Sequence, residues 1–173
     1  QYAVMAQIDR PVPGEELTTT GEPTAPRPAA TVILLRDTGR APEILMVRRT
    51  PRARFMGGIW VFPGGAVDPH EGEGDAALRA AALRELEEEA GIRLPSTDEL
   101  VLYSRWITPR QIRIRFDTWF FLAPAPAGVE PRIDGQETVD ARWYSPAAAL
   151  EAYRRGDIRL AFPTIRHLEQ LSP

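Results

Sequence analysis

Apolar residues first gather at 31–36, TVILLR, and again at 43–49, EILMVRR. Both runs are short and aliphatic, and the intervening DTGRAP supplies the Asp, Gly and Pro of a turn, so together they predict a hairpin-like strand pair. After the basic loop TPRARFMGG, IWVF predicts another short strand, and PGGAVDPHEGEGD reads as a long loop by composition. From about Asp75 the chain turns helical. AALRAAALRELEEEAG consists of strong helix formers, Asp75 is placed to cap the free amides, and Gly91 suits a left-handed stop. LVLYSRWIT and RIRFDTWFFLA then predict strands broken at PRQ, and ETVDARWYS predicts one more. SPAAALEAYRRG, with Pro near its start and Gly at its end, predicts a second helix, and FPTIRHLEQL a short third. No internal repeat is visible. Strands, helix, strands, helices, without regular βαβ alternation, predict an α+β fold: an α/β/α sandwich with a mixed β-sheet between helices.

Residues 9–28, DRPVPGEELTTTGEPTAPRP, lack sustained apolar periodicity, so 1–28 read as an extended N-terminal arm and 29–173 as a single domain. Met5 is a plausible natural start, so residues 1–4 are expected to be a tag remnant. A net charge of −3 and a pI near 5.5 argue against a nucleic acid polymer as partner. The chain has no cysteine, which excludes thiolate zinc sites and thiol nucleophiles, and only two histidines. His70 is expected as a loop polar residue and His167 as a surface residue of the last helix. Lysine is also absent, so every basic side chain besides histidine is an arginine, a planar fork suited to phosphate. No apolar stretch is long enough for a membrane span and no secretory signal is seen, so the expected location is cytoplasmic.

RELEEEAGI, 84–92, sets three carboxylates at helical spacings i, i+3 and i+4: Glu85, Glu88 and Glu89, flanking the apolar stripe of Leu83, Leu86 and Ala90. Glu87 points elsewhere. Such like-charge pairs destabilise a solvated helix by only about 0.2–0.5 kcal/mol each, but the repulsion grows once water is excluded. A bound cation removes it, and hard oxygen donors favour Mg2+, with Mn2+ as a close substitute. A solvated acidic face is the alternative. Upstream, FPGG at 62–65 allows a sharp turn or a close backbone approach, and could aim the Gly64 carbonyl at a metal.

Gly65, Glu71, Arg84, Glu85, Leu86, Glu88, Glu89, Gly91 and Ile92 together resemble the Nudix box, the signature of hydrolases that cleave nucleoside diphosphates linked to another group. One spacing departs from the pattern, since twelve residues rather than seven separate Glu71 from Arg84, which implies a five-residue insertion in HEGEGD, before the helix. The resemblance implies Glu85, Glu88 and Glu89 as ligands of Mg2+ or Mn2+, and Arg84 as the partner of an upstream glutamate, Glu71 or Glu73. It also implies a glutamate as the base that deprotonates water, either one from the box or Glu137 in GQET. A homodimer is frequent among such enzymes.

LMVRRTPRARFMGGIWVFPGG, 45–65, is similar to the motif that precedes the box in coenzyme A diphosphatases. Arg49, Thr50, Arg54, Gly58 and Phe62 fall on its positions, with Thr50 for the usual Ser and Val47 where Thr is typical. This resemblance implies cleavage of coenzyme A or an acyl-coenzyme A to 4′-phosphopantetheine and adenosine 3′,5′-bisphosphate. Arg48, Arg49, Arg52 and Arg54, with Gly65 beside them, are the candidates for binding phosphate. ADP-ribose, NADH or another nucleotide is the alternative substrate, and a Nudix-fold binding module without turnover the alternative class. Trp60, Trp119, Phe120 and Phe121 are expected in the core, whereas Tyr103, Trp106 and Phe116 are candidates to line a base pocket.

Overall fold

The computed structural model describes residues 22–53 and 56–173. Strands β1 (Arg27–Arg36), β2 (Glu43–Arg49), β3 (Trp60–Val61) and β4 (Gly64–Ala66) come first, then helix α1 (Gly74–Ala90). Strands β5 (Val101–Ile107), β6 (Phe116–Pro124) and β7 (Thr138–Tyr144) follow, and helices α2 (Pro146–Arg155) and α3 (Phe162–Leu171) end the chain. No helix is long and apolar enough to cross a membrane among the described residues.

The sheet is mixed, as expected. β1 lies parallel to β6 from Arg27 to Leu35, and the other strand pairings are antiparallel. β1 and β2 pair only beside their turn, at Leu35 with Ile44 and Arg36 with Glu43. Beyond that they diverge, and the run 60–66 fills the gap: Trp60 and Val61 pair with β2, while Gly64 to Ala66 pair with β1. The expectation of a loop after IWVF is therefore corrected at GGA. A Cβ on Gly64 would meet the Ala30 carbonyl oxygen at 2.6 Å and Thr31 Cα at 2.8 Å, so only glycine lets the chain lie this close to β1. Between the two short strands, the Pro63 carbonyl accepts the Val32 N–H at 2.9 Å.

Both faces of the sheet are covered, so β1 and β2 read as continuous apolar runs rather than alternating ones. Ala30, Val32, Leu34, Leu45, Val47 and Phe121 face α1 through Leu78, Ala81, Ala82, Leu86 and Ala90. Ile33, Ile44, Met46, Trp60, Phe62 and Phe120 face α2 and α3 through Ala149, Leu150, Ala152 and Leu168. This is the α/β/α sandwich.

Three local expectations are corrected. Asp75 does not cap α1: the helix starts at Gly74 after Glu73, and Asp75 instead accepts from Arg79 Nε at 2.7 Å, one turn on. Only Gly72 and Glu73 separate the turn Pro69–Glu71 from α1, so ten helical residues precede Arg84, and at least three of the five extra residues are helix rather than loop. His167 is fully buried, not on the surface. It packs among the rings of Phe62, Tyr103, Trp106 and Phe120, with Nε2 2.6 Å from Ser104 Oγ. The imidazole forms the buried face of α3 together with Thr164 and Leu168.

Candidate active site

Helix α1 carries Glu85 and Glu89 one turn apart on its inner side, and both are buried, at 8% and 4% exposure. Glu85 stands against the glycine turn: a Cβ at Gly65 would lie 2.6 Å from its Cδ, so the missing side chain is what makes room for the carboxylate. Glu89 Oε2 accepts the Gly64 N–H at 3.0 Å. Gly91 ends the helix in the left-handed conformation, φ 65°, and returns its N–H to the Glu87 carbonyl at 2.9 Å.

Burial works against these charges. It pushes the Glu89 carboxyl up to about 8, against the Gly64 N–H and Arg49, which pull it down, and Glu85 and Glu137 add to the rise. Glu85 is also raised by burial, partly offset by Arg84, with Glu88 and Glu137 adding repulsion. Glu137, exposed on the loop before β7, is thus electrostatically coupled to both buried glutamates.

Arg84 organises the rest. Its Nε and Nη2 bond Glu71 Oε1 and Oε2 at 2.8 and 3.2 Å, Nη1 reaches Glu85 Oε1 at 2.7 Å and Glu88 Oε2 at 3.1 Å, and Nη2 donates to the Ala66 carbonyl at 3.0 Å. Asp68 stands at 3.5 Å. Of the two upstream candidates, Glu71 is the partner. The guanidinium lies between Glu85 and Glu88, while Glu89 turns to Gly64. Among the described residues no three acidic or imidazole side chains are accordingly gathered tightly enough to hold a metal ion as they stand.

The arginines divide. Arg49 is half-buried, its charge lowers the pKa of Glu89, and its Nε is buried without a hydrogen-bond partner. Arg48, adjacent in sequence, lies across from Trp60 and lines a groove with Asp140, Arg142 and Arg159 on the α2 and α3 side, because strand alternation sends neighbours to opposite faces. Arg52 is exposed. Arg54 lies outside the described residues. Tyr103 and Trp106 pack on α3 through His167 and Phe162, on the far side of the sheet from Glu85 and Glu89.

Two residues of the site escaped sequence reasoning. Asp134 and Thr138 bracket the Glu137 loop, and Thr138 Oγ1 donates to the Glu89 carbonyl at 2.8 Å. An aspartate followed by glycine and then polar residues, D-G-Q-E-T, is the local signal of a side-chain-closed turn. Nothing in the sequence signals that Thr138 meets α1 across 49 residues.

The family model of the NUDIX domain matches residues 25–163. The chain is 30% identical to nudix hydrolase 7 of Caenorhabditis elegans over 84% of its own length, and 33% identical to the uncharacterised Nudix hydrolase NudL of Escherichia coli over 67%. It spans 60% of the length of each of these relatives. The crystal structure of a NUDIX hydrolase from Alicyclobacillus acidocaldarius superposes with a TM-score of 0.76 at 28% identity, covering 86% of this chain and 91% of that one. With a matching family model over most of its length, the Gly65-to-Ile92 signature on a glycine turn and helix, and the same sandwich, the chain belongs to the NUDIX domain family.

Proposed function

We propose that this domain hydrolyses a diphosphate linkage in a nucleotide derivative, with coenzyme A or an acyl-coenzyme A as substrate. The observation that carries the hydrolase reading is the buried pair Glu85 and Glu89, with Glu88 and Glu137 at its rim. Burial and mutual repulsion drive both buried carboxyls toward the neutral acid, an arrangement that a divalent cation would reverse. The donor set fits such an ion: hard carboxylate oxygens, with room made by Gly65. Glu85, Glu88 and Glu89, with the Gly64 carbonyl, would hold Mg2+, or Mn2+ in its place. Bound there, the ion supplies charge neutralisation of the diphosphate and a lower pKa for the attacking water.

The protein's own part is orientation and proton transfer. Arg84 fixes Glu85 and Glu88 to the Glu71 loop, so the carboxylates and the glycine turn move as one body. Glu137, whose charge is felt by both buried glutamates, is exposed and serves as the base that takes the proton of water. Arg49, with its unpartnered buried Nε, and Arg52 and Arg54, which follow it in the sequence, bind phosphate oxygens. The coenzyme A assignment is supported by the spacing of Arg49, Thr50, Arg54, Gly58 and Phe62.

A hydrolysis panel with Mg2+ or Mn2+ tests both levels. Coenzyme A is expected to turn over faster than dephospho-coenzyme A, ADP-ribose, NADH and diadenosine polyphosphates. Equal turnover of ADP-ribose would overturn the substrate assignment. No turnover of any compound would leave a binding module.

A further inference from the structure

Asp134 is exposed, yet its carboxylate is saturated with bonds to its own loop. Oδ1 accepts the N–H groups of Gln136 at 3.0 Å, Glu137 at 3.2 Å and Thr138 at 3.0 Å, and Oδ2 accepts a second contact from the Glu137 N–H at 3.2 Å. Gly135, at φ 76°, closes the turn by donating to the Thr138 carbonyl at 3.0 Å. Burial alone would raise the Asp134 carboxyl, but the amides of Thr138, Glu137 and Gln136 hold it below the usual range, so it is an anion fixed by backbone dipoles.

This turn is fastened at both ends to the pieces of the site. Thr138 is fully buried and has one hydroxyl proton to give; the Glu89 carbonyl at 2.8 Å is nearer than Asp134 Oδ1 at 3.3 Å. Arg132 N–H reaches the Ala90 carbonyl at 2.7 Å, so the loop satisfies carbonyls at the C-terminal end of α1 that the helix leaves free. On the other side, Thr50 N–H donates to the Glu137 carbonyl at 2.9 Å, tying the strand end that carries Arg49 to the same turn. Glu137 therefore has a fixed backbone, and among the described residues no hydrogen bond or ion pair holds its side chain. Among the described residues, Asp134 is the side chain that binds the amides on either side of it.

We propose that Asp134 is the positioning residue of this site. It closes the 134–138 turn so that Glu137 faces Glu85 and Glu89, and so that the Arg49 and Thr50 segment keeps its place relative to them. The inference rests on the reading of Glu137 as the base. An alanine at 134 removes every acceptor, whereas asparagine keeps Oδ1, which makes three of the four amide contacts.

The test uses the full chain as D134A, D134N, E137Q and the double variant D134A/E137Q. Amide hydrogen exchange, read without any metal or nucleotide, is expected to quicken at Gln136, Glu137 and Thr138 in D134A by roughly tenfold or more and to stay near wild type in D134N. With Mg2+, and with coenzyme A and ADP-ribose as probes, E137Q should lower kcat about 100-fold. D134A should lower kcat by between about 10- and 100-fold with KM nearly unchanged, and D134N should recover most of it. Because Asp134 acts through Glu137, the double variant should be no slower than E137Q alone. Unchanged exchange in D134A, or losses that multiply in the double variant, would overturn the proposal. Wild-type kcat in E137Q would overturn the base reading and with it the catalytic consequence, while the exchange result separately decides whether Asp134 holds the loop. Should D134A fail to fold, D134S, whose single hydroxyl oxygen cannot accept all four amide contacts, carries the same expectations for exchange and kcat.

Discussion

Arg84 and Glu71 meet through two hydrogen bonds, Nε to Oε1 at 2.8 Å and Nη2 to Oε2 at 3.2 Å, across the lengthened segment between them. The remaining nitrogen, Nη1, goes to Glu85 and Glu88. One side chain thus braces the loop and orients two of the glutamates. Arg84 and the Asp68 amide hold Glu71 ionised despite burial, which by itself would raise its pKa. E71Q keeps the shape, loses the charge, and leaves Nη2 or Nε facing an amide nitrogen. It is expected to cost about 1.5–3 kcal/mol in urea denaturation and to lower kcat as Arg84 turns further toward Glu85 and Glu88. R84K, with a single ammonium that cannot fork, should do the same. If E71Q matched wild type in both assays, the brace would have no energetic role.

Glu89 gives the site a pH dependence of definite sign. Its folded pKa, about 8, lies above the value of a free carboxyl, so the native state holds a proton that the unfolded chain has already released. That contribution to stability is fully present below the unfolded pKa of about 4.3 and is lost as pH rises to 8. In metal-free protein, E89Q should therefore be close to wild type at pH 5 and more stable at pH 8, by at least about 3 °C in Tm. A divalent ion should bind wild type more tightly as pH rises over the same interval and release a proton on doing so, which calorimetry in two buffers of different ionisation enthalpy would detect. E89Q should show neither effect. An E89Q variant with unaltered ion affinity would remove Glu89 from the proposed ligand set.

Gly64 and Gly65 are adjacent, and their substitutions should fail differently. A Cβ on Gly64 meets backbone of β1, which has no way to yield, so G64A should destabilise the fold by about 2–4 kcal/mol. A Cβ on Gly65 meets the carboxyl of Glu85, the end of a side chain that has rotamers to move to. G65A should keep most of its stability and lose most of its activity, because Glu85 is displaced from the place Arg84 holds it. Thermal melts paired with kcat would distinguish the two, and equal stability losses would refute the assignment of different obstacles.

The sequence made the helix, the glycine turn and the acidic set legible because each depends on local chemistry: helical spacing, helix formers and a glycine stop at Gly91. Glu71 as the partner of Arg84 was one of two candidates, since a longer segment leaves the path open until its helical share is known. The helix starts at Gly74, a residue that looks like loop, with Asp75 inside its first turn rather than capping it. The burial of His167 and the seat of Thr138 on the Glu89 carbonyl are tertiary facts. Each is decided by a strand or helix packed from elsewhere in the chain, so local pattern had no purchase on them.

His167 supplies the last expectation, and it concerns the fold rather than the chemistry. Burial lowers its pKa to about 4, against a small opposite pull from the Pro163 carbonyl, so the native state keeps it neutral where the unfolded chain would protonate it. A depressed folded pKa means stability that is present above the free value near 6.5 and lost as pH falls toward 4. Glu89 slopes the opposite way over part of this range, so the effect is best read as a difference between variants. Replacing both members of the buried pair, H167L with S104A, removes the titrating ring without stranding the Ser104 hydroxyl. From pH 7 to pH 4.5, wild type should lose roughly 2 kcal/mol more stability in urea than this double variant. Single H167L, which leaves Ser104 without its partner, should be less stable than the double variant at both pH values. Parallel pH profiles for wild type and the double variant would mean that the imidazole takes up its proton without disturbing the aromatic cluster around it.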